Sequence, residues 1–281
     1  MNQEETSQAR RALTPEEVEA LNRHGVFFKK RVLEELSKIP GIGILDEELG
    51  VSFGGTRVID IVAADTTAEP RIYFVLECKR VYQKTWLFFR AWDQRFRITR
   101  LDANLSGHAS RFCAAGQWPF PVASEGFEYW LAGKGNDKEP RCDQDPIFQA
   151  AAQLCAGYCG FIARRQREFP GGGSQVTVCE RYVPVLVTNA QLVVVEDRFQ
   201  EVSLETGSAP EAVPGACVPE LVLKHPFPTP AGVERDFRDA QNPPPQPGHW
   251  SQLQKESVYV VRAGHLREFF AGHCLEHFRT A

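Results

Sequence analysis

The sequence predicts an α/β fold in which helices flank a mixed central sheet. Three observations carry that expectation. A capped amphipathic helix opens the chain, three apolar strand segments follow it in close succession, and a second long helix leads into further strands.

The first helix is marked by Thr14-Pro15-Glu16-Glu17, a capping box with proline at the first helical position. Apolar or small residues then recur at Val18, Leu21, Gly25, Phe28, Val32, Leu36 and Ile39, the spacing of one helical face, and Pro40-Gly41 ends the run. On this wheel Glu35 lies on the flank of the apolar face and Glu34 points nearly the opposite way. Strand segments follow at about 42–53, 56–64 and 71–79, with turns at Gly54-Gly55 and 66–70. Those turns are too short for parallel crossovers, so the three strands are expected to form an antiparallel meander. The aromatic and basic region from about 80 to 135 does not resolve into elements.

A second helix starts at Asp145-Pro146 and runs over about 146–168. Its apolar face is Ile147, Ala150, Ala151, Leu154, Tyr158, Phe161 and Ile162, and Pro170-Gly171-Gly172-Gly173 breaks it. Segments 176–188 and 191–195 read as a strand pair around Thr188-Asn189-Ala190. Ten of the nineteen prolines lie between Pro210 and Pro247, which predicts an extended covering segment or a loop. A strand from Ser257 to Arg262 and a helix over about 264–278 close the chain. The expected organisation is a tail (1–13), a core (14–200), a Pro-rich extension (201–256), and a final strand and helix (257–281) packed on the core.

The 281 residues are 43% hydrophobic and 24% charged, an ordinary soluble globular mixture. No apolar run reads as long enough to cross a bilayer and the N-terminus lacks the apolar stretch of a signal peptide, so a cytoplasmic protein without membrane partners is expected. The eight cysteines never form Cys-x-x-Cys, which points to buried thiols. The net charge of −4 does not announce a nucleic-acid binder. From Lys79 to Arg111, however, eight Lys or Arg face two acids, Asp93 and Asp102, a local charge of +6 interleaved with Trp86, Phe88, Phe89, Trp92 and Phe96. Lys84, Arg90, Arg95 and Arg97 are the candidate phosphate contacts there; a solvated helix or loop is the plainer reading.

Three charges stand out against their surroundings. Asp60 is embedded in Val58-Ile59-Asp60-Ile61-Val62, and Glu77 and Lys79 end the apolar run Tyr73-Phe74-Val75-Leu76-Glu77-Cys78-Lys79. Charge inside such strands is expensive unless something pairs with it. Residues two apart in a strand face the same way, so Glu77 and Lys79 project together. With Asp60 and the Cys78 backbone carbonyl they offer a hard oxygen site, suited to Mg²⁺ or Mn²⁺. Lys79 beside such an ion could orient or deprotonate a water, or stabilise a pentacovalent phosphate.

Asp60 followed seventeen residues on by Glu77-Cys78-Lys79, after an N-terminal helix, resembles the PD-(D/E)xK nuclease superfamily over about residues 15–195. The resemblance implies a restriction-endonuclease-like core of order α-β-β-β-α-β, in which Asp60 and Glu77 bind Mg²⁺ and Lys79 is the catalytic lysine. It implies a DNA endonuclease, in a restriction or phage-defence setting, acting as a homodimer or with a defence partner protein. RNA or branched DNA is an alternative substrate, and a nucleic-acid-binding or partner-binding module without turnover is an alternative function. Many relatives carry a further acid on the first helix. Here Lys29 stands where some show Glu, and Glu35 is the substitute by wheel position. Some relatives carry a glutamine motif on the second helix, for which Gln149 is the candidate ahead of Gln153.

Three other features carry less. His273, Cys274 and His277 lack a further metal ligand and read as a helix end. Gly171-Gly172-Gly173 is followed by no Lys-Ser/Thr and reads as a linker. Arg164-Arg165-Gln166-Arg167 reads as a phosphate contact or as a solvated helix end.

Overall fold

A computed structural model describes residues 12–52, 56–67, 71–82, 84–91, 95–103, 109–117, 120–131, 140–143, 145–168, 178–196, 201–206, 208, 212–224 and 257–274. The expected first helix is two helices, α1 (Pro15–Arg23) and α2 (Val26–Ser37). The capping box forms as read, with Thr14 and Glu17 bonding reciprocally. The break falls at Gly25, whose φ of 69° is left-handed, a conformation that glycine adopts without steric cost. Only α2 buries its face: Val32 and Leu36 are in the core, while α1 buries none of its residues.

The meander is present as β1 (Ile42–Ser52), β2 (Thr56–Asp65) and β3 (Arg71–Lys79), paired antiparallel in that order. Within the basic and aromatic region that did not resolve, the described residues include four strands, β4 (Thr85–Arg90), β5 (Arg95–Ala103), β6 (Ala109–Gln117) and β7 (Val122–Leu131), followed by β8 (Pro140–Asp143). The second helix is α3 (Asp145–Glu168). By length and apolarity its residues Pro146–Arg165 could span a bilayer, which the sequence reading passed over. In the fold most of that stretch is buried, as in a core helix.

After α3 come β9 (Val178–Thr188), β10 (Gln191–Val195), β11 (Gly215–Val218), β12 (Glu220–Lys224) and β13 (Ser257–Arg262). The chain order of the sheet is β1-β2-β3-β9-β13-β12-β7-β4-β10-β11, with β5 on β9 and β6, and β8 on β7. β9 lies parallel to β3 from Arg71↔Glu180 to Lys79↔Thr188, reached by a crossover that includes α3. β9 and β10 are strands as expected but do not pair with each other. β10 instead lies parallel to β4 and antiparallel to β11. The regular final helix expected at 264–278 is a 3-10 turn (Ala263–His265), an α-turn (Leu266–Glu268) and a π-type turn (Phe269–Cys274); residues beyond 274 lie outside the described ones.

Residues 72–76 of β3 are all at most 3% exposed, so both faces of the sheet are covered. Tyr73 and Val75 join the cluster that contains Ile147, Leu154, Tyr158 and Ile162 of α3. Ile72, Phe74 and Leu76 join the cluster with Val32 and Leu36 of α2 and with Leu266, Phe269 and Phe270. Phe74 meets Phe270 edge to face at 4.7 Å, and the Tyr158 hydroxyl donates to the Tyr182 carbonyl at 3.2 Å.

Where β3 leaves the sheet, a side chain takes over from the ladder. The Val81 N–H donates to Asn189 Oδ1 at 2.7 Å and Asn189 Nδ2 donates to the Val81 carbonyl at 2.8 Å. This clasp fixes the chain just after Lys79 and turns residues 189–190 away from a hairpin between β9 and β10. Asn189→Ala leaves both Val81 backbone groups unpaired and is expected to cost about 1–3 kcal/mol. Urea unfolding with an unchanged m-value is the check; an unchanged midpoint would remove the clasp from the account.

Candidate active site

The β2–β3 ladder ends at Ile61↔Leu76. One residue further, the two strands part. Asp60 Oδ2 accepts the Cys78 N–H at 2.8 Å, so a carboxylate takes the place of a backbone carbonyl. Glu77, Cys78 and Lys79 stay paired with β9, opposite Leu186, Val187 and Thr188. The N–H and C=O of one strand residue leave by the same edge. The Cys78 carbonyl is therefore turned to the Asp60 side as well, where no β2 backbone partner remains. Asp60, Glu77 and Lys79 are half-buried around this fork.

The reason β2 bends away lies partly in β1. Strict alternation puts Ile59 and Ile61 on one face. They instead belong to different core clusters, and Ile59 packs against Gly157 of α3, where a Cβ would stand 2.8 Å from Ile59 Cγ1. The facing residue in β1 is Glu48, between Glu47↔Ile61 and Leu49↔Ile59, and its φ is 59°. A left-handed glutamate is costly and rare. Here it marks the point where both strands change face and release Asp60 toward the fork.

The electrostatics of the fork are those of carboxylates short of a cation. Burial pushes the Glu77 carboxyl up to about 8; the Asp60 charge adds to this, and Lys79 and Lys29 oppose it. Burial also raises Asp60, against the Cys78 N–H and the Lys29 charge, with Glu48 adding to the rise. Burial raises the Cys78 thiol well above its usual range, so it is an unreactive neighbour. Among the described residues no three His, Cys, Asp or Glu side chains are gathered into a cage. The donor set is two carboxylates and a backbone carbonyl, all hard oxygens. That chemistry fits Mg²⁺ or Mn²⁺, which use few protein ligands and complete their shell with water and phosphate.

Sequence reasoning read Lys29 only as a departure from a helical acid, and it missed Glu48, which pairs with it. Lys29 is 8% exposed and its ammonium is paired with Glu48. Burial pulls the Lys29 amine down, but Glu48, Asp60 and Glu47 outweigh it and the net shift is upward. The acidic run Asp46-Glu47-Glu48 within a strand was the available signal for Glu48. Its left-handed backbone was not readable.

Several predicted residues have other occupations. Glu35 is held by Arg31 at 2.6 Å, Lys38 at 3.2 Å and Arg267 at 2.6 Å, so its carboxylate is engaged by cations and not by the fork. Gln149 and Gln153 lie exposed on α3, with no hydrogen bond to Asp60, Glu77 or Lys79 among the described residues. Lys84, expected at a phosphate, is paired with Glu128, which is 1% exposed and also accepts from Trp86 Nε1 at 3.1 Å. Arg90 is exposed at the end of β4. Arg95 and Arg97 belong to β5, whose side chains lie outside the described residues. Arg165 donates to buried Glu180 at 2.6 Å, which makes it structural. His277 and the side chains of His273 and Cys274 lie outside the described residues.

Comparisons with family models, with curated proteins and with solved structures find no match.

The Glu77 carboxyl titrates near 8 in the folded protein and near 4.5 when unfolded. Between those values the unfolded chain releases a proton that the folded chain keeps, so stability falls as pH rises and levels off above about 8. The metal-free protein is expected to lose a few kcal/mol across this window, and Glu77→Gln to flatten the slope. Denaturant titrations in chelator at pH 5 to 9 measure it. Parallel curves for the two proteins would show that Glu77 is not strained in this way.

Proposed function

We propose that this protein is a metal-dependent nuclease that hydrolyses phosphodiester bonds, with DNA as its substrate. The observation that carries the reading is the Asp60–Cys78 bond at the fork of β2 and β3, which gathers Asp60, Glu77, Lys79 and a strand-end carbonyl. The order of elements supports it. An N-terminal helix, an antiparallel meander, α3 and a parallel strand follow the α-β-β-β-α-β plan of PD-(D/E)xK nucleases, with β4–β8 inserted between β3 and α3.

In this reading Asp60, Glu77 and the Cys78 carbonyl would hold Mg²⁺, which when bound would supply charge at the phosphoryl oxygens and acidify a water. Asp60 is oriented by the Cys78 N–H, which fixes its Oδ2. Lys79, one residue beyond Cys78 on the same strand, positions the attacking water or takes its proton, and its ammonium form offsets charge on the phosphorane. Arg90 is the exposed candidate for a flanking phosphate. Cutting both strands of a duplex needs two such sites, so a homodimer is part of the proposal. A defence setting rests on the family resemblance alone.

Lys29 favours a second reading. A cation where relatives carry an acid suits a nuclease-like module that binds nucleic acid or a protein partner without turnover.

The test incubates the full chain with linear, circular, branched and single-stranded DNA and with RNA, in Mg²⁺, Mn²⁺ or chelator. Metal-dependent cleavage is expected, and Asp60→Ala and Lys79→Ala are each expected to lower its rate at least about 100-fold. Cleavage unaffected by either substitution sinks the site assignment, and metal-independent binding without cleavage selects the second reading.

A further inference from the structure

A pocket of about 530 Å³ opens between α2 and the turns that follow β13. Its apolar lining is Val32 and Leu266, both buried, and the half-buried Phe28. Ala263 and Gly264 leave room beside them, and a Cβ placed on Gly264 would meet nothing within 4 Å. A cavity of this size, apolar with a few polar groups, suits a small molecule. Four charged side chains also line it: Arg31, Glu35, Arg267 and Glu268. Three of them are engaged with one another. Glu35 is paired with Arg31 and with Arg267, each at 2.6 Å, and Arg31 also reaches Glu34 at 2.6 Å. Glu268 has no hydrogen bond or ion pair among the described residues. A second acid on the sheet feels its charge. Val222, Tyr259 and Val261 belong to the cluster that α2 and Leu266 cover, and Glu220, two residues before Val222, faces the same way. Glu220 pairs with Val261, two residues before Ala263. It is 8% exposed, its Oε2 has no hydrogen-bond partner, and Glu268 makes it harder to ionise.

We propose that this pocket binds a small organic cation, an amidinium, guanidinium or ammonium group on an apolar body, with Glu268 as its counter-charge and Glu220 adding to the negative field behind it. An anion suits the pocket less well. Both guanidiniums are already paired with Glu35, and a ligand carboxylate or phosphate would have to compete with it. A cation needs no exchange of partners. It meets an acid that has none, and it relieves the repulsion that Glu268 exerts on buried Glu220. Phe28, Val32 and Leu266 offer the apolar body a surface away from water. A metal ion fits poorly, since no three metal-type ligands are gathered among the described residues and much of the lining is hydrocarbon. Asp60, Glu77 and Lys79 do not line this pocket, so the inference does not rest on the nuclease reading.

Ligand-observed NMR titration of the full chain tests this with three probes of one shape: benzamidine, neutral benzamide and anionic benzoate. Benzamidine is expected to bind with a dissociation constant of about 1 mM or tighter, at least about 10-fold below those of benzamide and benzoate. Glu268→Gln is expected to weaken benzamidine at least about 10-fold, and Glu220→Gln about 3-fold. Gly264→Leu keeps every charge but fills the space, and is expected to abolish binding. Asp60→Asn alters the other half-buried acids and is expected to leave the affinity unchanged. Far-ultraviolet circular dichroism checks that each variant is folded. A preference for benzoate, equal binding of the three probes, or no benzamidine binding up to about 10 mM overturns the inference, and none of these results needs a variant. Unchanged affinity in folded Glu268→Gln, Glu220→Gln or Gly264→Leu also overturns it. Loss of binding in folded Asp60→Asn overturns it too, and places the cation at the fork.

Discussion

The bond from the Cys78 N–H to Asp60 Oδ2 stands where a backbone carbonyl of β2 would otherwise continue the ladder. Two strands that part inside a sheet leave polar groups without partners, and each unpaired one costs about 1–3 kcal/mol when buried. Asp60 answers one of these with its side chain, which lets β2 turn away while β3 continues along β9. The separation leaves the Cys78 carbonyl beyond the end of the β2 ladder, beside the half-buried Glu77 and Lys79. The same carboxylate therefore closes the sheet structurally and, in the proposed reading, offers an oxygen to the candidate site.

Elsewhere in the sheet, buried acids are matched group by group. Glu180 is met by Arg165 at 2.6 Å, by the Tyr73 hydroxyl at 3.3 Å and by the Tyr182 hydroxyl, and the Arg165 guanidinium lies over the Tyr73 ring. Glu128 is met by Lys84 and Trp86. Asp65 accepts from the Thr67 N–H and hydroxyl at 2.9 and 2.7 Å. These acids hold elements together. Glu77 differs, since no hydrogen bond reaches its carboxylate among the described residues while a second carboxylate presses on it. Glu220 is the other exception: its Oε2 has no hydrogen-bond partner and burial, with Glu268 adding to it, pushes the carboxyl up to about 7. It lies at the start of β12, and among the described residues no gathering of metal-type ligands surrounds it.

Much of this was legible in the residues. The meander, α3 and β13 follow from local periodicity and turn chemistry, and Asp60, Glu77 and Lys79 declared themselves as charges in apolar strands. The rest depended on contacts between distant segments. β4 hid because Trp86 and Phe88 point into the core while Leu87 and Phe89 are half-buried on the other side, which blurs the alternation. The split between α1 and α2 needed a left-handed Gly25, which wheel spacing does not reveal. β9 and β10 looked like a hairpin until Asn189 was seen to face Val81. Glu35 stood on a plausible flank, but its wheel position gave no hint of Arg267 from the far end of the chain.

The Asn189 clasp has a consequence for how the site moves. Val81 is buried, and its amide is protected by a side chain and not by a strand. For that proton to meet solvent, the amide of Asn189 must let go, and the peptide that leads out of Lys79 is freed in the same event. Asn189 itself follows Thr188, the residue alongside Lys79 in β9. The lysine and its backing strand are therefore coupled in their local opening, and the exchange clock of one backbone amide reads the rigidity of the candidate centre directly.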